Sequence, residues 1–410
     1  MPHRAKPGRR VILLLSAAHP ADDMRVVRKE GAALAAAGWP VTHLCPGPAG
    51  PPIGGVTIEA VAAPSRWRRW WPLYRRAVAL RPALIHASEP DAWAIALLAG
   101  WRCGARVVLD VHEHYPSRLD SRLPFALRPL ARGAIRAAMW GMGRLADAVV
   151  LAKEGLATDF SPARPRIAVR NHALIPAALP HRAHGHGALT LLHLGAIGVK
   201  RGWPQLLAAL ALAPPDTRLL VIGRFTDGSE AGFRAAAQAS GLTQRIEIAG
   251  WMPAEAALAR AAAEADVNLV LFQPGEENHR LALPHKLFDG MAIGLPVIAP
   301  GFATGVATIV RDAGCGLLVD VTNPAAIAAA ITDLTDPARR AAMGEASWQA
   351  ARGDWGWTAE AAALVALYRG LELDALRRNR REVCITHPAP MAPTPVADST
   401  ASGSVPATPQ

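Results

Sequence analysis

Cysteine is scarce in this chain: Cys45, Cys103, Cys315 and Cys384 stand singly among 410 residues. No two have metal-type spacing, and so long a chain is not organised by disulfides. Isolated thiols fit a reducing compartment such as the cytoplasm. Apolar runs of membrane-spanning length are absent as well. The apolar run at 11–18 is too short, and Asp22, Asp23 and Arg25 follow it closely. A first buried strand fits it better than a secretory leader. Lysine is sparse beside arginine, which looks like a bias of coding composition. What is plentiful is apolar residue, 51% of the chain, enough for two domains and incompatible with global disorder.

Positive charge is the other excess. The formal net charge of +11 suggests an anionic partner: a nucleotide, nucleic acid or an acidic lipid surface. No nucleic-acid-binding module is recognisable, so nucleic acid is set aside. Arg66, Arg68, Arg69, Arg75 and Arg76 surround Trp67, Trp70, Trp71 and Tyr74. Pro72 interrupts this stretch and argues against one continuous helix. Arg128, Arg132 and Arg136 are four apart and form one cationic stripe, with Trp140 a turn later. Tryptophan beside arginine suits an anionic membrane surface. The alternative is tryptophan packed in the core with solvated arginine around it. The expected location is cytoplasmic, with peripheral attachment to the inner membrane face.

Strand and helix signals alternate along the chain after a basic leader at 1–9. Strands are expected at 11–15, 41–44, 84–86, 106–111 and 148–151, with helices at 25–37, 92–100 and 124–145. The segment 179–187, with three histidines, reads as a solvated linker rather than a metal-binding tract. The alternation then restarts, with strands at 189–195, 218–222, 246–249, 267–271 and 316–319. Helices are expected at 203–211, 229–241, 254–265 and 324–334. The fold class is therefore α/β, two doubly wound Rossmann-like domains at 10–178 and 189–354, joined by a linker at 179–188. A last helical stretch covers 355–378. The Pro-, Ala-, Ser- and Thr-rich tail, 379–410, is expected to be disordered.

Three segments carry chemistry. Leu194-Gly-Ala-Ile-Gly-Val-Lys-Arg-Gly202 follows a strand and precedes a helix, so its amides can cradle phosphate. Its spacing is not the dinucleotide fingerprint, and Arg218 stands nearest to where an acidic residue would follow, which counts against a nicotinamide enzyme. Gly195, Lys200 and Arg201 are the candidates here; Lys200 and Arg201 suit a diphosphate. Gly223 and Arg224 repeat the strand-then-glycine arrangement. Asp110-Val-His-Glu-His-Tyr115 ends a strand, where polar residues face a cleft. His112 and Glu113 are the acid–base candidates. A joint metal site of His112 and His114 is not expected there, and His114 stays open between structural and functional roles. In the segment 284–300, Lys286 and Asp289 lie three apart on one helix and can meet one ligand, while Gly294 and Pro296 stop that helix. A phosphorylated, sugar-bearing ligand fits this pair; a solvated surface ion pair is the alternative.

These motifs resemble those of the retaining family-4 glycosyltransferases of the GT-B fold. The match runs through His19-Pro, Asp23, Arg25 and Glu30, then Ile85-His-Ala-Ser-Glu-Pro90 and Asp110-Val-His-Glu113. It continues through Asn171, Gly195, Arg201-Gly202, Ile222-Gly223, Gly250-Trp-Met-Pro253 and Leu283-Pro-His-Lys-Leu-Phe-Asp289, ending at Gly314-Cys-Gly-Leu-Leu-Val319.

The resemblance implies a sugar nucleotide as co-substrate, no metal and no cofactor, and a glycan or lipid-linked acceptor in cell-surface polysaccharide or glycolipid assembly. It places Arg201 on the donor diphosphate, Asp289 on the ribose, Lys286 and the 275–285 loop on phosphates and sugar, and His112 near the reacting carbon. His19, Asp23 and Arg25 fall on the acceptor side, and the stretch from 355 crosses back onto the first domain. Leu281 and Ala196 stand where the family often has Glu and Arg; Glu276, Glu277 or Asn278 are placed to supply the missing contacts. Front-face attack assisted by the leaving phosphate is the implied mechanism. A sugar-nucleotide epimerase of the same architecture and a noncatalytic sugar-nucleotide-binding protein are the alternatives.

Overall fold

The computed structural model describes residues 11–62, 65–176 and 179–386. The expected leader at 1–9 and the tail beyond 386 lie outside the described residues. The chain divides into a large unit, Met1–Leu367, and a short C-terminal unit from Tyr368.

The large unit holds two parallel sheets. The first has seven strands: β1 (Ile12–Leu15), β2 (Val41–Pro46), β3 (Val56–Val61), β4 (Leu84–Ala87), β5 (Arg106–Val111), β6 (Ala148–Leu151) and β7 (Arg166–Ala168). Their order is β3-β2-β1-β4-β5-β6-β7. The second has six: β8 (Thr190–Ile197), β9 (Arg218–Phe225), β10 (Ile246–Gly250), β11 (Val267–Leu269), β12 (Val297–Pro300) and β13 (Gly316–Val319), ordered β10-β9-β8-β11-β12-β13. Both orders reverse direction once, at β1/β4 and at β8/β11. Ligands of such sheets bind beyond the carboxyl ends of the strands at that reversal. The inner strands β1, β4, β6 and β12 are buried along their whole length, as strands covered on both faces must be. This two-domain α/β arrangement is the expected GT-B fold.

Several elements differ from the sequence expectation. Pro72 does not prevent a helix: a short 3₁₀ turn, Trp67–Arg69, leads into an α-helix over Trp70–Leu80. Pro72 sits in the first turn, where a missing amide costs nothing. Strands β3 and β7 and helices Thr304–Ala313 and Pro337–Arg352 were not signalled. The last buries Arg340, Gly344, Ser347 and Ala351, a helical stripe with no large apolar residue to mark it. The helix expected over 25–37 begins as a π-helix, Met24–Gly31, capped by Asp23, before becoming α-helical at Ala32–Ala36.

The segment 179–187 is irregular but is not a free solvated linker. Its Arg182 amide donates to the Ile293 carbonyl (3.0 Å), and the Arg182 guanidinium pairs with Asp266 (2.8 Å). His184 Nε2 lies 2.9 Å from the Gly294 carbonyl oxygen. The strap is thus pinned to the left-handed stop at Gly294 (φ 77°) that ends helix His285–Ala292. The chain then crosses back: Ala173 and Trp357 pair through the Trp357 amide and the Ala173 carbonyl (2.8 Å). The final helix runs Trp357–Thr386, past the expected end at 378 and into the expected tail.

Candidate active site

A cavity of about 960 Å³ lies between the two sheets and is lined from both. Of the expected residues it collects His19, Asp23, Arg25, His112, Glu113, Gly195, Lys200, Arg201, Glu277, Asn278, Lys286 and Asp289. Gly223 instead borders a second cavity of about 290 Å³. Arg224 is exposed and lines neither. It follows Gly223 on β9, and adjacent strand residues point to opposite faces.

On the second-sheet side, β8 ends at Gly195–Ile197 and leads into a 3₁₀ turn, Val199–Arg201, then helix Trp203–Leu212. A Cβ at Gly202 would lie 2.2 Å from the Leu271 carbonyl oxygen, so glycine is required where the helix start meets the sheet. The resulting helix N-terminus faces the cavity rim beside Arg201. Gly223 has a different duty: a Cβ there would lie 1.8 Å from the Gly195 carbonyl oxygen, within the β8–β9 pairing. Lys200 is half spent, ion-paired with Glu276 of the facing loop.

Helix His285–Ala292 presents Lys286 and Asp289. Asn268 donates to the Lys286 carbonyl (2.8 Å) and abuts Gly290, which locks the helix against β11. Lys286 is buried with Nζ 3.2 Å from His193 Nε2. Burial and the Arg201 charge lower its ammonium to about 7, with Asp289 opposing. Burial raises the Asp289 carboxyl to about 6, against Lys29 and Lys286. A dianionic ligand here meets a lysine ready to gain a proton and a carboxylate ready to accept hydroxyl donors.

On the first-sheet side, Asp110 at the end of β5 organises the floor. Arg25 donates to it through Nη2 (2.7 Å) and Nε (3.2 Å), donates to the Val169 carbonyl (2.7 Å), and forms an ion pair with Glu30 (2.9 Å). His86 Nε2 lies 3.2 Å from Glu30 and 3.5 Å from Asp110. Burial would lower His86, but Asp110 and Glu30 outweigh it and hold the imidazole at about 9. The result is a buried quartet of two cations and two carboxylates. Glu30, His86 and Asp110 have donor atoms close enough to share a metal ion, but Arg25 bonds both carboxylates and supplies the compensating charge instead. Arg25 therefore lines the cavity with its guanidinium fully engaged.

His112 Nε2 hydrogen-bonds Asp110, which fixes the imidazole at the cavity wall. His19 meets it edge-on, ring centroids 4.8 Å apart. His19 Nδ1 bonds Asp23 (2.9 Å) and its Nε2 lies 3.7 Å from Glu89. Burial would lower His19, but Asp23, Glu89 and Asp110 raise it to about 9, so a cation sits beside His112 at neutral pH. Glu113 is at the rim, ion-paired with Arg118. His114 is structural: its Nδ1 bonds Ser117 (2.8 Å), and its amide donates to Asn278 (2.7 Å), tying the two domains together.

His285, the last residue of the expected 275–285 loop, lines the cavity as well, while Glu89 and Lys153 also belong to this environment and were missed by sequence reasoning. Lys153 follows β6 by two residues, so the rule that sites gather beyond strand ends could have found it. The expected cationic stripe is largely neutralised, since Arg132 pairs with Asp120 and Arg136 with Asp159.

Two family models match the chain. "Glycosyl transferase 4-like domain" covers residues 24–174, and "Glycosyl transferases group 1" covers 188–336. The chain is 27% identical over 287 residues to a GDP-mannose-dependent alpha-(1-6)-phosphatidylinositol monomannoside mannosyltransferase of Mycolicibacterium smegmatis, covering 66% of this chain and 72% of that protein. Among solved structures it resembles Anabaena HepE, crystallised with UDP and glucose (TM-score 0.67, 14% identity, 88% of this chain and 100% of that one). It also resembles a sucrose-phosphate synthase from Thermosynechococcus elongatus (TM-score 0.66, 22% identity, 89% and 100%).

Proposed function

Because this chain belongs to the group 1, family-4 glycosyltransferases, enzymes that draw on a nucleotide sugar, we propose that it transfers a hexose, with retention, to a lipid-linked or glycan acceptor of the cell surface. The observation that carries the donor placement is that Gly195 and Asp289 border both cavities. The smaller one, walled by Ile222, Gly223, Trp251, Met252 and Leu258, suits a nucleobase. Asp289 then accepts from the ribose hydroxyls. The diphosphate lies over Gly195 and the helix start at 202–203, with Arg201 and Lys286 as its cations. The sugar reaches the space between the 275–278 loop and His112.

Departure of the nucleoside diphosphate concentrates negative charge where Arg201, Lys286 and the helix N-terminus stand. These groups stabilise that charge without reorganising. His112, fixed by Asp110, is oriented to hydrogen-bond the sugar during transfer. The leaving phosphate takes the acceptor proton on the same face.

Arg201→Ala and Asp289→Ala are each expected to weaken donor binding about 10-fold or more, by loss of charged hydrogen bonds of roughly 1.5–3 kcal/mol. Calorimetric titration with the donor checks this, and unchanged affinity in both variants removes the assignment. Donor affinity is also expected to peak in the window between about 6 and about 7 set by Asp289 and Lys286. Below it Asp289 is protonated and loses acceptor strength. Above it Lys286 must take up a proton to bind phosphate, at a cost approaching about tenfold per pH unit. A flat profile across the neutral range argues against both roles.

Membrane attachment at the inner face is proposed from the exposed aromatics Trp67, Trp71, Trp101 and Phe125, with the exposed Arg68 and Arg75 near the first two in sequence. No helix among the described residues is long and apolar enough to cross a membrane. Binding to anionic vesicles should fall on raising salt and on replacing Trp67 and Trp71. Equal partitioning of wild type and variant at low salt would sink the idea.

A further inference from the structure

The cleft contains a buried cation that the donor reading leaves unused. Lys153 is only 8% exposed, yet it lines the cavity and its ammonium makes no hydrogen bond or ion pair with any described residue. Other cations in and around the cleft differ. Arg25 is bonded to Asp110 and Glu30, Lys29 donates to the Asn171 and His172 carbonyls, Lys200 pairs with Glu276, and Arg118 pairs with Glu113. Burial lowers the Lys153 ammonium to about 8, with Glu113 and Glu277 opposing from beyond ion-pair range. Holding an unpaired ammonium in a buried position is costly unless a ligand supplies the counter-charge.

The placement says which ligand. Lys153 stands two residues beyond β6, on the first-sheet side, whereas Arg201 and Lys286 belong to the second domain. Arg122 and Arg128 line the same side of the cavity, Arg122 exposed and Arg128 half-buried against Phe125. Arg122 and Arg128 add positive charge to that half of the cavity lining, and a phosphate is the anion that such a half-cleft favours.

We propose that Lys153 binds a phosphate group carried by the acceptor, in a half of the cleft that Arg122 and Arg128 make more positive. This rests on the reading above that the first-sheet half of the cleft takes the acceptor. The phosphate belongs to a phosphorylated soluble glycan or to a lipid headgroup, and the two sources present the same chemistry to Lys153.

The sequence holds five lysines, Lys6, Lys29, Lys153, Lys200 and Lys286, so each is separable. Reductive methylation with ¹³C-formaldehyde gives a signal for each reactive lysine, assigned by its loss in the matching Lys→Met variant. On titration with inorganic phosphate the Lys153 signal is expected to shift saturably and its titration midpoint to rise above about 8, with no response to glucose. In the Arg122→Gln, Arg128→Gln double variant the phosphate concentration needed should rise about tenfold. A response to glycerol phosphate but not to phosphatidylglycerol vesicles supports a soluble acceptor; the reverse supports a lipid. A stationary Lys153 signal with moving Lys200 and Lys286 signals overturns the proposal and leaves the donor site standing. A moving Lys153 with stationary Lys200 and Lys286 supports the phosphate site and counts against the donor assignment. No movement of any lysine overturns both.

Discussion

Asp110→Ala is expected to destabilise the protein by about 3–5 kcal/mol, because it leaves Arg25 and His86 as cations in a buried site without their shared carboxylate. Asp110 is fully buried and bonds Arg25 twice, at 2.7 and 3.2 Å, with His86 and His112 on its other faces. Glu30 alone cannot neutralise both Arg25 and a charged His86. Burial would raise the Asp110 carboxyl, but Arg25, His112 and His86 hold it well below the usual carboxylate range. A carboxyl depressed on folding contributes stability above its unfolded value and loses it as pH falls. His86, raised to about 9, contributes below its unfolded value and loses that contribution as pH rises through about 9. The wild-type advantage over the variant is therefore largest between about pH 4 and about pH 6.5, above the unfolded Asp value and below the unfolded His value, and shrinks on either side. Denaturant titrations of the two proteins across pH measure it. Glu230→Ala, which breaks an exposed Arg234 pair, is the control, with an expected cost of at most about 0.5 kcal/mol. An Asp110→Ala cost no greater than the control would mean the quartet is not the keystone of the first domain.

His112→Ala is expected to lower kcat by about 10²-fold or more while donor affinity changes little. His112 lines the cavity from the first domain, just after β5, whereas Arg201 and Asp289, proposed to hold the nucleotide, line it from the second. Its imidazole is oriented by Asp110, not by a ligand, and is in place before the donor arrives. Asp110→Asn keeps the shape but changes the hydrogen bond offered to His112. Its effect on kcat should therefore be non-additive with that of His112→Ala. Steady-state kinetics together with equilibrium donor binding separate the two contributions. A His112→Ala enzyme with full turnover removes this residue from the chemistry.

Much of the donor side was legible because its signals are local. The Lys286–Asp289 pair sits on a helix whose periodicity, left-handed glycine stop and following strand are all contiguous in sequence. Strands β5, β6 and β13 fell at their expected limits for the same reason, being apolar runs bounded by turn residues. The acceptor side was less legible because its logic is long-range. Nothing near Arg25 in sequence reveals that Asp110 and the Val169 carbonyl engage its guanidinium. Lys153 stands without a motif and gains meaning only when β6 delivers it to the cleft. Arg224 illustrates the opposite error: a motif-like repeat suggested a ligand contact, but the strand's alternation turns the side chain away. The helix at Pro337–Arg352 was invisible because its buried stripe is built of small and polar residues.

The central claim is that the cleft between the two sheets binds a nucleotide sugar. The most direct measurement is ligand-observed NMR of the purified protein with UDP-, GDP-, ADP- and TDP-sugars, followed over hours. Selective binding of one nucleotide class is predicted, with slow release of free sugar whose first-formed anomer keeps the donor configuration. That binding should be lost in Arg201→Ala and Asp289→Ala. Conversion to a different nucleotide sugar would replace transfer with epimerisation, and binding to none of the four would contradict the account.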